Sequence, residues 1–198
     1  TKGAELPYPV ICKPTDGCGS NGFSVCHNLD EFIIGYKKAM DNSESGGVLI
    51  EDFVKNDGVV CFYTLSNGKA YFSGLEDKYP VRYEKFGSYV AGMLIFESNL
   101  TEDFRRKFDK KIQNLVDSLG LKEGSFWIEV FTDGVNYYFN EAGYRYGGTI
   151  SIYPIDYLYG YNQLGADIYY ALTGESKLLG HKSLIKGDLT KSKKSCVY

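Results

Sequence analysis

Gly124-Ser-Phe-Trp-Ile-Glu-Val-Phe131 and Asn136-Tyr-Tyr-Phe-Asn-Glu-Ala142, joined across Thr132-Asp-Gly-Val135, decide the fold of this chain. Both stretches alternate and are rich in aromatic and β-branched residues, and the Asp-Gly between them is a turn signal. Together they predict an antiparallel hairpin. Each strand carries one glutamate among apolar neighbours, Glu129 and Glu141, where a carboxylate is costly unless it is paired. The two lie 12 residues apart across a tight turn, which sets both near one rung, to within a residue or two of register.

Two converging carboxylates form a hard oxygen site. Mg2+ suits it, with Mn2+ as the alternative, because Mg2+ prefers a few carboxylates plus water and substrate phosphates to a full protein cage. Mutual repulsion without a cation argues the same way. The competing reading has one or both glutamates on the solvent face, or paired with Arg145. Arg145 precedes Tyr146-Gly-Gly-Thr149, a small-residue loop where a guanidinium can clamp carboxylate or phosphate oxygens; a surface salt bridge is the rival. Asn140 is expected on the opposite strand face.

Toward the start of the chain, Tyr8–Lys13 reads as a strand entering Gly17-Cys-Gly-Ser-Asn-Gly22, a literal G-x-G-x-x-G whose backbone N–H groups can approach phosphates. A dinucleotide fingerprint requires such a loop to open a helix, but Phe23-Ser-Val-Cys26 continues as a strand. Strand, glycine loop and strand instead make a lid over a triphosphate. The remaining kinase motifs are missing, and Lys13 precedes the loop, from where its ammonium can reach α- or β-phosphate oxygens. The plain alternatives are a solvated strand end and an ordinary turn.

Between these motifs, Asn28 or Asp30 caps a helix to about Met40 with Phe32, Ile33, Tyr36 and Ala39 at helical spacing. Val48–Val54 reads as a buried strand, and Val59–Leu65 and Ala70–Leu75 as a hairpin turning at Ser66–Gly68. Residues 76–92 lack clear periodicity, and Met93–Ser98 is a strand. Thr101–Leu119 predicts an amphipathic helix with Phe104, Phe108, Ile112, Leu115 and Leu119 on one face, closed by Gly120. Ile155–Leu172 reads as mainly helical, ending near Gly174. The expected plan is α+β: a small lobe at 1–50, a larger one at 51–180, and 181–198 as the start of a further segment.

With 198 residues, 43% hydrophobic and 24% charged, the chain can bury one or two cores. A net charge of -3 with scattered lysines and arginines gives no basic stripe for nucleic acid. The apolar runs are far too short to span a bilayer and no leader-like segment opens the chain, so no membrane partner and a cytoplasmic location are expected. The odd set of five cysteines lacks zinc spacing and fits reduced thiols. Thr1 and the strand-like Lys193–Tyr198 read as cut ends, with N- and C-terminal domains of a parent chain as expected partners.

In chain order, Lys13-Pro with its glycine loop, Val48-Leu-Ile-Glu-Asp-Phe-Val54, Trp127-Ile-Glu129 and Asn140-Glu-Ala-Gly-Tyr-Arg145-Tyr-Gly-Gly148 resemble the ATP-grasp superfamily. The likeness covers residues 8–175 and is nearest to carboxylate–amine ligases of the carbamoyl-phosphate synthase large-chain and biotin carboxylase type. It implies a small lid lobe and a larger antiparallel-sheet lobe with ATP between them. It implies that Lys13 holds ATP phosphates and that Gly17, Gly19, Ser20 and Gly22 belong to a mobile lid. Glu51, Asp52, Phe53 and Val54 would form the hinge that reads adenine. Asp57 would hold the ribose, and Glu129 and Glu141 would carry Mg2+. Arg145 would orient the acyl acceptor or stabilise the transferring phosphoryl, and Lys78 would contact phosphate or substrate.

The implied activity is phosphorylation of a small-molecule carboxylate or bicarbonate by ATP, followed by attack of an amine or ammonia. An ATP-binding module without turnover and a phosphotransferase of the same fold are the alternatives. Three features depart from the pattern. Gly143 stands where these ligases often have Asn, only Asp57 follows the hinge as an acid, and an N-terminal α/β domain with a further basic residue is not in the sequence.

Overall fold

The computed structural model describes residues 6–54, 58–83, 88–148, 150–180 and 196–197. In chain order the elements are β1 (Val10–Pro14), β2 (Ser24–Cys26), α1 (Leu29–Asp41), β3 (Val48–Asp52), β4 (Val59–Ser66), β5 (Lys69–Tyr83), β6 (Ser88–Phe96), α2 (Thr101–Ser118), β7 (Gly124–Thr132), β8 (Tyr137–Gly143), α3 (Ile152–Tyr159), α4 (Gln163–Thr173) and β9 (Cys196–Val197). They form an α+β chain with antiparallel sheets. The residues divide into two compact units, Thr1–Lys55 with Pro80–Ala91, and Asn56–Tyr79 with Gly92–Tyr198. Among the described residues, no helix is long and apolar enough to cross a membrane.

The first unit is a three-stranded sheet, order β2-β1-β3, with α1 packed on it. Alternation along β1 sends Val10 and Cys12 into a core shared with Cys26, Phe32 and Ala39. Ile11 and Lys13 therefore project from the other face. The start of α1 is fixed by a capping box: Asn28 Oδ1 accepts the Glu31 N–H at 3.0 Å, and Glu31 Oε2 accepts the His27 N–H at 2.9 Å. A Cβ on Gly35 would lie 2.7 Å from Cys26 Sγ, so only glycine lets α1 approach the sheet this closely.

Two expectations fail in this unit. Ile33 is exposed, because the buried stripe of α1 runs through Phe32, Gly35 and Ala39. The stretch read as a buried strand is an edge strand, β3, with Leu49 and Ile50 exposed. An apolar run alone does not say whether a second layer covers it.

The second unit is a six-stranded sheet, order β8-β7-β4-β5-β6-β9. The β4–β5 turn at Asn67-Gly68 has φ of 52° and 77°, the pair of positive values a two-residue hairpin turn demands. Residues 76–92, which show no clear period, lie largely in the long strands β5 and β6. One sheet face presents Cys61, Tyr63, Phe126, Ile128 and Val130 to α2, whose Phe104, Ile112 and Val116 are buried against it. Tyr63 donates to Asp109 at 2.8 Å and Tyr137 to Asp103 at 3.0 Å, tying α2 to the strands.

Leu115 and Leu119 are exposed rather than part of that stripe. The C-terminal half of α2 turns toward the β4–β5 turn, where Gln113 donates to Gly68 O at 2.8 Å and accepts from Ala70 N–H at 2.9 Å. Val116 follows it inward. The helical stretch after residue 150 is two helices, since Gly160 takes the left-handed conformation at φ 74° and Asn162 starts α4 by accepting the Gly165 N–H at 2.7 Å.

β7 and β8 pair antiparallel from Thr132↔Tyr137 to Trp127↔Gly143. Asp133 holds their turn: Oδ1 accepts the N–H groups of Val135 and Asn136 at 2.9 and 2.7 Å, and Oδ2 accepts the Asn136 amide at 2.9 Å. These bonds, that from the Asn136 backbone foremost, hold the Asp133 carboxyl at about 2 against an ordinary 3.8.

A depressed carboxylate contributes stability above its unfolded pKa and loses it as pH falls through the folded one. Amide exchange at Val135 and Asn136 is therefore expected to accelerate, beyond its intrinsic pH dependence, as pH falls from 3.8 to about 2. Asp133→Asn flattens that response. For the helix, Ile112→Ala is expected to lose about 2–5 kcal/mol in denaturant unfolding and Leu119→Ala no more than about 0.5 kcal/mol.

Candidate functional site

Glu129 and Glu141 are direct cross-strand partners on β7 and β8. They project from the sheet face opposite α2, with Val60 and Phe62 of β4 paired alongside. Directly opposed residues have Cβ atoms about 4.5–5.5 Å apart, and like charges there repel. Glu129 is buried and Glu141 exposed. The Lys78 ammonium forms an ion pair with Glu129 Oε1 and thereby offsets its burial. Lys78 is positioned by its own N–H, which donates to Gly58 O at 3.1 Å. Glu141 has no ion pair among the described residues.

Asn140 corrects the sequence reading. The ladder pairs Glu129 with Glu141 and then Val130 with Phe139, so Asn140 is the extra residue of a β-bulge. Strict alternation fails at that point, and Asn140 Nδ2 donates to Glu129 Oε2 at 2.7 Å instead of facing away. Nothing in the sequence marks this bulge. Glu129 thus has an ammonium on one oxygen and an amide on the other.

Trp127, one step along the same face, pairs with Gly143. A Cβ on Gly143 would lie 2.3 Å from Trp127 Nε1 and 2.5 Å from Cε2, so the indole occupies the space an asparagine side chain would need. The departure at 143 is thus paired with the tryptophan. The Arg145 guanidinium lies over the Trp127 ring at 5.1 Å and donates from Nη1 to Tyr146 O at 3.0 Å. Trp127 Nε1 is buried without a protein partner. Arg145 has no carboxylate within ion-pair distance among the described residues, which removes the structural pairing with Glu129 or Glu141.

In the first unit, Lys13 Nζ lies 2.6 Å from Glu51 Oε2. The register pairs Lys13 with Leu49 and Ile11 with Glu51, so the two charges are diagonal neighbours on the sheet face away from α1. Asp52 ends β3 opposite Val10, and Phe53 N–H donates to Pro9 O at 3.3 Å. Val54 follows directly and is partly buried; Asp57 lies outside the described residues.

The glycine loop joins β1 to β2, a strand on each side as its sequence predicts. Gly19, Ser20 and Gly22 have φ of 61°, 61° and 75°, and Ser20 adopts that strained conformation without being glycine. The loop base is anchored, since Asp16 accepts from Ser43 Oγ at 2.6 Å and from Ser45 N–H at 2.8 Å. Gly17 packs on Pro14, where a Cβ would come within 2.5 Å, whereas Gly19 faces open space.

The donor set suits magnesium shared with a nucleotide. Among the described residues no cluster of three or more acids, histidines or cysteines forms a complete cage. Two opposed carboxylates instead leave positions for phosphate oxygens and water, the coordination Mg2+ favours.

Comparisons with known proteins bear on the fold that carries these residues. Residues 2–62 match the family model described as carbamoyl-phosphate synthase L chain, ATP binding domain. A formate-dependent phosphoribosylglycinamide formyltransferase of Wolinella succinogenes is 26% identical over 143 residues, 71% of this chain and 35% of the relative. Dapdiamide A synthase of Enterobacter agglomerans is 23% identical over 162 residues, 79% and 38% of the two chains. Among solved structures, the biotin carboxylase domain of Hydrogenobacter thermophilus 2-oxoglutarate carboxylase, in complex with MgADP, ADP and bicarbonate, superposes with a TM-score of 0.73 at 21% identity. That superposition covers 89% of this chain and 39% of that one.

The fold is the ATP-grasp fold, and residues 2–62 match the ATP-binding family model. The chain spans well under half the length of each of these three proteins.

Gly143→Ala is expected to cost about 1–3 kcal/mol by overpacking against the indole. Trp127 is the only tryptophan of the chain, so its emission reports the site directly. The substitution is expected to shift that emission to the red as the ring is pushed toward solvent, and unchanged emission would contradict the packing described.

Proposed function

We propose that this chain binds Mg-ATP as part of a carbamoyl-phosphate synthase-like carboxylate–amine ligase. A carboxylate or bicarbonate is phosphorylated to an acyl phosphate, which an amine or ammonia then attacks. The observation that carries the reading is the Glu129–Glu141 rung, two carboxylates held face to face with a single ammonium paired to Glu129. The fold, the matched ATP-binding family model and a structural neighbour solved with MgADP and bicarbonate support it.

Glu129 and Glu141 would hold the magnesium, which when bound neutralises phosphate charge and polarises the transferring phosphoryl group. Lys13, drawn to Glu51 without nucleotide, exchanges that partner for phosphate oxygens. Gly17, Gly19, Ser20 and Gly22 present backbone N–H groups to the same phosphates, and the Glu51–Val54 segment reads adenine through its backbone. Lys78 offsets the charge of Glu129 and offers donors to the phosphoryl oxygens. Arg145 orients the carboxylate that attacks.

In the first step a carboxylate oxygen attacks the γ-phosphorus, and the bond from that phosphorus to its bridging oxygen breaks to release ADP. In the second the amine nitrogen attacks the acyl carbon, phosphate leaves, and the amine proton passes to solvent. Neither step needs a protein nucleophile; positioning and charge neutralisation suffice.

Calorimetric titration of the chain with ATP and Mg2+ tests the reading. Glu141→Gln is expected to weaken Mg2+-dependent ATP binding at least about tenfold, as loss of a charged ligand should. Phosphate release across paired carboxylates and amines should fall in parallel. Equal binding and equal release by the variant would overturn the metal assignment.

A further inference from the structure

Beyond the glutamate rung, the same face of β7 leads into a cavity of about 280 Å³ lined by Ser125, Tyr144, Arg145, Tyr146, Asp167 and Tyr170, among others. Ser125, Trp127 and Glu129 alternate onto this face, so Trp127 lies about 7 Å and Ser125 about 13 Å along the strand from Glu129. Arg145 is stacked at the level of Trp127. Asp167, on α4, is at the level of Ser125, whose hydroxyl donates to its Oδ2 at 3.2 Å.

Of the three charged residues lining this cavity, Glu123 accepts from the Asn67 N–H and from the Ser176 hydroxyl, each at 2.7 Å, while Asp167 and Arg145 have no counter-charge among the described residues. Asp167 has no cation within ion-pair distance among the described residues, and burial, opposed only by the Ser125 hydroxyl, pushes its carboxyl up. Arg145 contacts a carbonyl and an indole ring and, among the described residues, has no carboxylate within ion-pair distance. Both line one cavity and do not pair with each other. A small molecule carrying a carboxylate and an ammonium satisfies both, and the tyrosine rings flank its cationic end.

We propose that this cavity binds a free amino acid as the carboxylate to be activated, with its carboxylate on Arg145 and its ammonium on Asp167. The order along the strand sets the orientation. Arg145 is the nearer of the two to the glutamate rung, so the carboxylate faces the phosphoryl group and the ammonium points away. An ammonium held on Asp167 stays protonated and is no nucleophile, so the bound amino acid does not compete with the incoming amine. The proposal rests on the phosphoryl-transfer reading for its catalytic meaning, but the binding it describes needs no nucleotide.

The test titrates the chain, without nucleotide, with the common amino acids, their N-acetyl derivatives and the matching decarboxylated amines. Trp127 emission and calorimetry are the readouts. At least one amino acid is expected to saturate, with its N-acetyl and decarboxylated counterparts at least about tenfold weaker. Asp167→Asn should weaken the free amino acid about tenfold and leave the N-acetyl derivative unchanged. The ligand series in the unaltered chain decides the matter if that variant does not fold.

Binding of no amino acid, or equal binding of the N-acetyl form, overturns the proposal. So does a folded Asp167→Asn chain with unaltered affinity. A separate titration with Mg-ATP distinguishes the two readings. ATP binding without amino-acid selection sinks this proposal alone, whereas amino-acid binding without ATP binding sinks the phosphoryl-transfer reading and leaves the cavity assigned.

Discussion

Two carboxylates facing each other on one rung repel, and the second unit of this protein is organised so that they stay there. Neither glutamate can move without disturbing the strand that carries it. Phe126, Ile128 and Val130 are buried on the α2 side of β7, which fixes Glu129 on the other. Phe104 and Phe108 pack on Tyr137 and Phe139 of β8, and the bulge at Asn140 then turns Glu141 to the face of Glu129. A slip of one residue would exchange the faces of the whole strand, so burying these side chains fixes the register that sets the glutamates opposite each other. Lys78 and Asn140 then offset the charge of the more buried of the two.

The stretch beyond that rung is built around the single tryptophan. Trp127 needs a glycine opposite, Gly143 supplies it, and the indole becomes a platform for Arg145. At position 143, where the resemblance leads one to expect an asparagine, the space is filled by the indole that carries the stacked guanidinium. The amide next to Glu129 comes instead from Asn140, three residues earlier and on a bulge. The same group of strands thus carries both an opposed pair of carboxylates and a cavity with separated charges.

Much of the site was legible because it rests on local rules. The Asp133-Gly134 turn brought Glu129 and Glu141 to within a residue or two of one rung, the bulge at Asn140 then set them opposite each other, and the strand after Gly22 ruled out a helix-opening phosphate loop. Lys13, the loop glycines and Arg145 stood out as motif residues. Asn140, by contrast, was assigned to the wrong face, since a bulge breaks the period of two on which that assignment depends. Ile33, Leu115 and Leu119 were assigned to buried faces for a related reason: helical spacing gives a face but not where the neighbouring sheet ends. Asp167 carried no signal, because its partner Ser125 is 42 residues away.

The sequence by itself therefore determined the hairpin, the glycine turns and the chemistry available at each motif, all of which depend on residues within one turn or one strand of each other. The tertiary structure alone decided the partners. It put Lys78 on Glu129, Glu51 on Lys13, Trp127 against Gly143, and Asp167 beside Ser125. Those pairings follow from which strands lie side by side and which helix covers them. That in turn is settled by the burial of apolar surface summed over the whole fold, a quantity no short stretch of sequence contains.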